Sequence, residues 1–132
     1  MSPINLSDYK QLYFETATEY VAEIKKNIPL LLTSDAGKAV EILHRSAHSL
    51  KSQSLIMGYT ATGNFMLLLE HIFRAMKENR LACSEEIKKY LESIGEKLQA
   101  DLESIKQSGN EVLFTEEQKT LETLTGISSN SV

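Results

Sequence analysis

Apolar residues recur every three to four positions along almost the whole chain. This spacing places side chains on one face of an α-helix, where they pack against neighbouring helices. Glycine and proline are scarce, with 6 and 2 residues in a chain of 132, so few points break the period. No segment combines apolar–polar alternation with the turn residues of a β-hairpin. The pattern therefore predicts an all-α protein.

The first predicted helix has Ser7 as a candidate N-cap. Pro29 is expected to kink this helix or to end it, because proline cannot donate the backbone hydrogen bond that the helix interior needs. The predicted apolar stripe comprises Tyr9, Tyr13, Ala17, Tyr20, Ile24, Ile28 and Leu31.

The second predicted helix runs from Asp35 to about Met57, with Ser34 as its candidate N-cap. Gly58 is expected to stop it, since glycine readily takes the left-handed conformation that follows a helix. The alternating spacing of its apolar positions is typical of helix-bundle packing. These positions are Ala36, Val40, Leu43, Ala47, Leu50, Ser54 and Met57.

Two further helices follow in the sequence. The third is predicted to begin at Ala61 or Asn64 and to end at Asn79, and the fourth to begin after Ser84 and end at Gly109. The residues expected to face inward are Phe65, Leu69, Ile72, Phe73 and Met76 in the third helix and Ile87, Leu91, Ile94, Leu98, Leu102 and Ile105 in the fourth.

A capping-box pattern, Thr115-Glu116-Glu117-Gln118, predicts a short fifth helix that ends near Gly126. Residues 127–132 are mostly small and polar, so we expect a tail or the start of a linker after a single domain at 1–126. The sequence thus predicts an antiparallel four-helix bundle with an additional short C-terminal helix.

Composition narrows the function classes. The formal net charge is −4 and no basic stripe occurs, which argues against a nucleic-acid-binding protein. A single cysteine excludes an internal disulfide and suits a reducing compartment. No apolar run has the length of a membrane span, and the N-terminus lacks the pattern of a signal peptide. We therefore expect a cytoplasmic protein that does not contact membranes. Since no apolar face of the predicted bundle is clearly left over, we also expect the isolated domain to be a monomer.

The second helix carries the most informative polar residues of the chain. His48 shares a face with His44, Lys51, Ser52 and Leu55, because these positions lie three, four or seven residues away. This face is rotated away from the apolar seam of the helix. His48 is therefore expected at the edge of the bundle, partly exposed to solvent.

Such a histidine suits phosphoryl transfer. A neutral imidazole nitrogen is a nucleophile that forms covalent intermediates, and Lys51 can bring positive charge to the oxygens of the transferring group. Ser52 is small, so a second protein could approach the ring closely. A carboxylate bound to the other ring nitrogen would hold the correct tautomer, and Glu70 on the third helix is the best candidate.

Other interpretations of these residues remain open. Glu70 could instead pair with Arg74 at i+4, as an exposed ion pair. His44 and His48 have the i, i+4 spacing of metal ligands, but a third ligand would have to be Glu70 or His71. We therefore predict no metal and no cofactor.

The string His48-Ser49-Leu50-Lys51, with Gly58-Tyr59 ten positions on, resembles the histidine phosphotransfer (HPt) family. The similarity is greatest to the N-terminal phosphotransfer domains of CheA chemotaxis kinases, in which a glycine–aromatic pair ends the helix and a glutamate follows on the next helix. The five-helix arrangement fits that family as well.

The resemblance implies that His48 is phosphorylated, that Lys51 assists electrostatically and that Glu70 is the hydrogen-bond partner of His48. Gly58, Ser52 and His44 are expected in supporting positions. The sequence departs from the family at Ser52, where glycine is usual, and at Leu67, where CheA-type domains often have a second histidine. His44 or His71 could substitute for that histidine.

The implied function is that of a phosphocarrier within a histidine protein kinase. A separate catalytic, ATP-binding domain would phosphorylate His48, and a response-regulator receiver would take the phosphoryl group. The chain contains no glycine-rich phosphate loop that would make an ATP site. Two alternatives remain: a stand-alone or hybrid-kinase relay protein, and a helical interaction module that is not phosphorylated.

Overall fold

Five α-helices and one short 3-10 helix account for most of residues 6–130, the part of the chain that a computed structural model describes. No strand occurs among these residues. The elements are α1 (Leu6–Asn27), the 3-10 helix (Ile28–Leu32), α2 (Ala36–Ile56), α3 (Thr60–Lys77), α4 (Glu85–Ser108) and α5 (Thr115–Thr125).

Neighbouring helices of the bundle run antiparallel to each other. On α2 and α3, Glu41 pairs with Lys77 at 3.6 Å, whereas Leu55, near the end of α2, lies against Gly63, near the start of α3. Helix α4 returns along α1 and closes the bundle, and α5 packs across α3 and α4. The prediction of an antiparallel four-helix bundle with an added C-terminal helix is therefore confirmed.

The predicted apolar seams form the core with few exceptions. All six predicted positions of α4 are buried, and so are most of those on α2 and α3. Tyr9 is an error of the prediction, since it is 45% exposed. The remaining exceptions are half-buried residues at the ends or edges of the stripes, namely Tyr20, Ala36, Met57 and Met76.

Three helix boundaries lie where the local sequence predicts them. The Ser84 hydroxyl accepts a hydrogen bond from the Ile87 amide at 3.1 Å, as an N-cap should, and Pro29 lies in the 3-10 helix that ends α1. Gly58 has φ +83, and the amides of Gly58 and Tyr59 donate to carbonyls in the last turn of α2. This is a Schellman motif.

Three predicted N-caps are wrong. Ser7 lies inside α1, which already includes Leu6. Asp35 rather than Ser34 precedes α2, and Thr33 accepts the first amides there through its carbonyl and hydroxyl. The capping-box segment does begin α5, at Thr115, and Gly126 ends this helix, as predicted. Phe114 rather than Thr115 occupies the N-cap position, and its ring is stacked on Phe65 in the core at 4.4 Å.

The domain boundary at Gly126 stays a prediction. Ile127, just beyond it, packs against the core, and the carbonyl of Ser128 lies 3.3 Å from His71 Nδ1. The part of the tail that the structure describes therefore contacts the bundle over at least these two residues. Residues 131 and 132 lie outside the described part of the chain.

A buried polar cluster at one end of the bundle has no signature in the sequence. Asp101 on α4 is fully buried and accepts hydrogen bonds from the Thr62 hydroxyl at 2.6 Å and the Val112 amide at 2.8 Å. Glu111 accepts from the Thr62 amide at 2.7 Å and so supplies the capping bond that the N-cap residue of α3 does not. Burial raises the pKa of Asp101.

We expect Asp101→Ala to lower the free energy of unfolding by about 2 to 4 kcal/mol, because it leaves the Thr62 hydroxyl and the Val112 amide without their acceptor. Urea denaturation measures the change. Asp35→Ala is the matched control and should cost less than about 1 kcal/mol, since the Asp35 side chain makes no capping bond. Equal losses in both variants would mean that the buried cluster does not stabilise the fold.

Candidate functional site

The close approach of α2 and α3 creates the site. Only three residues separate the two helices, so α3 turns back directly along α2. Gly63 permits the contact: a Cβ at this position would lie 2.5 Å from the Leu55 side chain, well inside van der Waals distance. This role of Gly63 was not predicted from the sequence. An isolated glycine inside a helical pattern is the signal that could have indicated it.

His48 lies on the edge of α2, as predicted, with 57% of its side chain exposed. Its Nδ1 atom contacts Glu70 Oε1 on α3. Among the described residues, no hydrogen bond involves the other ring nitrogen, Nε2. The imidazole is thus held from one side and open to solvent on the other.

Glu70 is the buried centre of the site. Its side chain is only 2% exposed, and its Oε2 atom accepts a hydrogen bond from Lys51 Nζ at 3.0 Å. Burial by itself raises the pKa of the Glu70 carboxyl. The hydrogen bonds from His48 and Lys51, together with the charge of Lys51, outweigh burial and lower the pKa below its ordinary value. Glu70 is therefore ionised at neutral pH.

An ionised carboxylate can only accept hydrogen bonds. The proton between Glu70 and His48 therefore belongs to Nδ1, and the lone pair of the neutral ring lies on the exposed Nε2. This is the tautomer that makes Nε2 a nucleophile toward an incoming group.

Lys51 and Arg74 surround the same carboxylate. Lys51 is 18% exposed and lies 3.0 Å from Oε2 and 3.5 Å from Oε1. Arg74, one turn after Glu70, lies 3.8 Å from Oε1 and is 41% exposed. Glu70 thus forms the ion pair with Arg74 that one interpretation of the sequence proposed, and it also contacts His48. Since Glu70 is buried, the ion pair is not the exposed one expected from the sequence.

The other predicted residues lie around this centre without joining its hydrogen bonds. His44 is half-buried, and its Nε2 atom is buried with no partner among residues 6–130. Burial and the charges of Arg74 and Lys77 lower the pKa of His44. His71 contacts the carbonyl of Ser128 instead, so neither histidine bonds to Glu70. Ser52 is half-buried.

Within the described range, no group of three histidine, cysteine, aspartate or glutamate side chains is arranged to hold a metal ion. The i, i+4 histidines of α2 therefore lack a third ligand there. The helices in the same range also include none that is both long and apolar enough to cross a membrane.

We expect Nδ1–H to be the major neutral tautomer of His48, and Glu70→Ala to populate both tautomers because the acceptor that selects one is lost. Long-range ¹H–¹⁵N correlation spectra at neutral pH report the two ring nitrogens separately. His71 is the internal control, because its ring contacts Ser128 and its signals should not change. A wild-type ring protonated mainly at Nε2 would contradict the assignment.

Known proteins resemble part of the chain in sequence. The CheA chemotaxis proteins of Listeria monocytogenes and Listeria innocua are each 31% identical to the chain over 78 residues, which are 58% of the chain and 12% of the relative. The chain thus spans only a small part of these relatives.

Among solved structures, the phosphorylated P1 domain of CheA3 in complex with CheY6 from R. sphaeroides superposes with a TM-score of 0.76. It covers 89% of the chain and 92% of that domain at 21% identity. At this identity the likeness establishes a shared fold.

The family comparison covers the site as well as the fold. The model of the Hpt domain matches residues 8–108, a range that contains α2 and α3 with His48, Lys51 and Glu70. The match extends over most of the chain and over all four helices of the bundle. The chain therefore belongs to the Hpt domain family.

Proposed function

We propose that this domain carries a phosphoryl group on His48 in a chemotaxis signalling pathway. It receives the group from the ATP-binding catalytic domain of a histidine kinase and passes it to an aspartate of a response-regulator receiver. The observation that carries the proposal is the hydrogen bond between the buried, ionised Glu70 and Nδ1 of the exposed His48. Membership of the Hpt family and the CheA relatives support it.

The chemistry follows from the tautomer. The lone pair of Nε2 attacks the γ-phosphorus of ATP, an N–P bond forms, and the bond from phosphorus to the bridging oxygen breaks as ADP leaves. The ring keeps its Nδ1 proton and gains positive charge, which the Glu70 carboxylate stabilises. In the second step a receiver carboxylate oxygen attacks phosphorus, and the N–P electron pair returns to Nε2.

Lys51 contributes positive charge next to the reacting nitrogen. Its side chain is 18% exposed and its ammonium lies 3.0 Å from Glu70 Oε2, and an ammonium has three N–H donors, not all of which Glu70 needs. Phosphoryl transfer relies mainly on positioning and on such charge. Lys51 therefore both holds Glu70 in place and lowers the electrostatic barrier for an incoming phosphoryl group.

The source and the recipient of the phosphoryl group lie outside this domain in the proposal. The CheA relatives are far longer than the matched segment, which leaves room for a catalytic domain in a protein of that kind. The crystallised CheA3 domain is in complex with CheY6, which supports a receiver as the recipient. Since ATP and receivers are available there, we place the reaction in the cytoplasm, with the domain acting as a monomer.

Incubation of the chain with ATP labelled at the γ-phosphate and a CheA catalytic domain should give an acid-labile label. We expect His48→Gln to abolish the label, because the nucleophile is lost, and His44→Gln to retain it as the matched histidine control. Label that persists in His48→Gln would place the acceptor elsewhere. A wild-type chain that takes no label from several kinases would favour the interaction module, consistent with the departures at Ser52 and Leu67.

Lys51→Gln should slow phosphorylation of His48 by about a hundred- to a thousandfold, the range found when one donor to a developing anion is removed. Single-turnover labelling with the same catalytic domain measures the rate. Lys77→Gln removes the same charge from the neighbouring helix, where Lys77 pairs with Glu41, and should leave the rate close to wild type. Equal rates in all three proteins would exclude Lys51 from the reaction.

A further inference from the structure

Arg74 interacts with Glu70 more weakly than His48 and Lys51 do. Its Nη2 atom lies 3.8 Å from Glu70 Oε1, which is an ion-pair distance but too long for a hydrogen bond. The oxygen it approaches is the one that contacts Nδ1 of His48. The guanidinium and the imidazole therefore approach the same carboxylate oxygen, and within residues 6–130 the Arg74 guanidinium makes no hydrogen bond of its own.

Near the imidazole ring, the positive charge of Arg74 has no carboxylate of its own among the described residues to neutralise it. The buried Glu70 carboxylate is already neutralised by Lys51, which is closer and less exposed. Lys77, the next cation along α3, pairs with Glu41. Within residues 6–130, Glu70 is the one carboxylate found within 4 Å of the Arg74 guanidinium. The exposed edge of the site thus carries one positive charge more than its anions require.

Lys51 can act on a bound phosphoryl group only from its place beside Glu70. If its ammonium moved away from Glu70, it would leave a buried carboxylate without its closest countercharge, which is strongly unfavourable. Arg74 has no such constraint, because it is 41% exposed and makes no hydrogen bond to Glu70. A movement of a few ångströms costs Arg74 only a weak, partly screened ion pair.

We propose that Arg74 is the phosphoryl-binding residue of the phosphorylated state. When Nε2 of His48 carries a phosphoryl group, the guanidinium turns from Glu70 Oε1 toward the phosphoryl oxygens and donates hydrogen bonds to them. A phosphoryl group brings close to two negative charges, and the planar guanidinium matches its oxygens with two parallel N–H groups. Lys51 stays with Glu70. This inference rests on the proposed phosphorylation of His48.

The test compares the phosphorylated chain with three variants. Phosphoramidate, whose nitrogen is already protonated at neutral pH, serves as the phosphoryl donor. Nε2 attacks its phosphorus, the P–N bond breaks, and neutral ammonia leaves with the electron pair of that bond. A ³¹P NMR titration then gives the pKa of the phosphoryl group on His48. This readout reports charge near the phosphoryl oxygens directly and does not depend on the rate of any transfer.

A bound cation favours the dianion, so Arg74→Gln should raise the pKa of the phosphoryl group. We expect a two- to fivefold fall in the acid dissociation constant, which is about a third to two-thirds of a pH unit. This is the size expected for a partly exposed ion pair. Arg74→Lys should restore part of the difference. Lys77→Gln removes the same charge one turn further along α3 and should leave the titration close to wild type.

Each other outcome decides against the inference. An unchanged titration in Arg74→Gln would show that Arg74 serves only as a countercharge for Glu70, and an equal shift in Lys77→Gln would show a general charge effect. A wild-type chain that is phosphorylated on His48 neither by phosphoramidate nor by a CheA catalytic domain with ATP would overturn the proposed function itself, and the inference with it. Thermal denaturation of each variant before phosphorylation verifies that it is folded.

Discussion

The buried carboxylate of Glu70 is the interaction on which the site depends. A charge taken out of water is costly unless it is paired and hydrogen-bonded. Both of its hydrogen-bond donors, His48 and Lys51, come from a single turn of α2. The carboxylate is satisfied only when this turn of α2 lies opposite it. The same pairing that orients the imidazole therefore favours one register of α2 against α3, so that the functional site and the packing of these helices are one constraint.

The backbone makes this register accessible. Gly63 lets α3 approach the Leu55 side chain, and the Schellman turn at Gly58 directs the chain from one helix into the next. At the same end of the bundle, the Asp101 cluster ties the start of α3 to α4 and to the loop that follows. Together these contacts hold the start of α3 against α2 and α4.

The sequence predicts α4 and its packing well because every signal there is local. The apolar period is unbroken, Ser84 caps its own helix, and Gly109 ends it. The sequence also predicts where α5 begins, but not its cap: the N-cap residue is Phe114, whose ring is stacked on Phe65, distant in sequence. A short capping pattern cannot compete with the burial of an aromatic ring, whose stabilisation is several times larger.

The same distinction applies to the polar residues. Glu70 is recognisable because it interrupts an apolar run opposite a histidine-bearing helix, so its position carries a signal. Asp101 is not recognisable, because its partner Thr62 lies 39 residues away, and a single acid in a helix usually faces solvent. Periodicity identifies which residues are inside, but it does not identify which buried polar groups will find each other.

In the proposed function the site serves two proteins in turn, and the contrast between a buried Glu70 and an exposed His48 suits that task. A partner must reach Nε2, yet the carboxylate that sets the tautomer must not be hydrated or displaced by that partner. Placing the carboxylate on the neighbouring helix, beneath the ring, meets both requirements. The half-buried Ser52 one turn away leaves the approach open, since its side chain is only one hydroxymethyl larger than glycine. Access to the nucleophile is thus separated from the interactions that activate it.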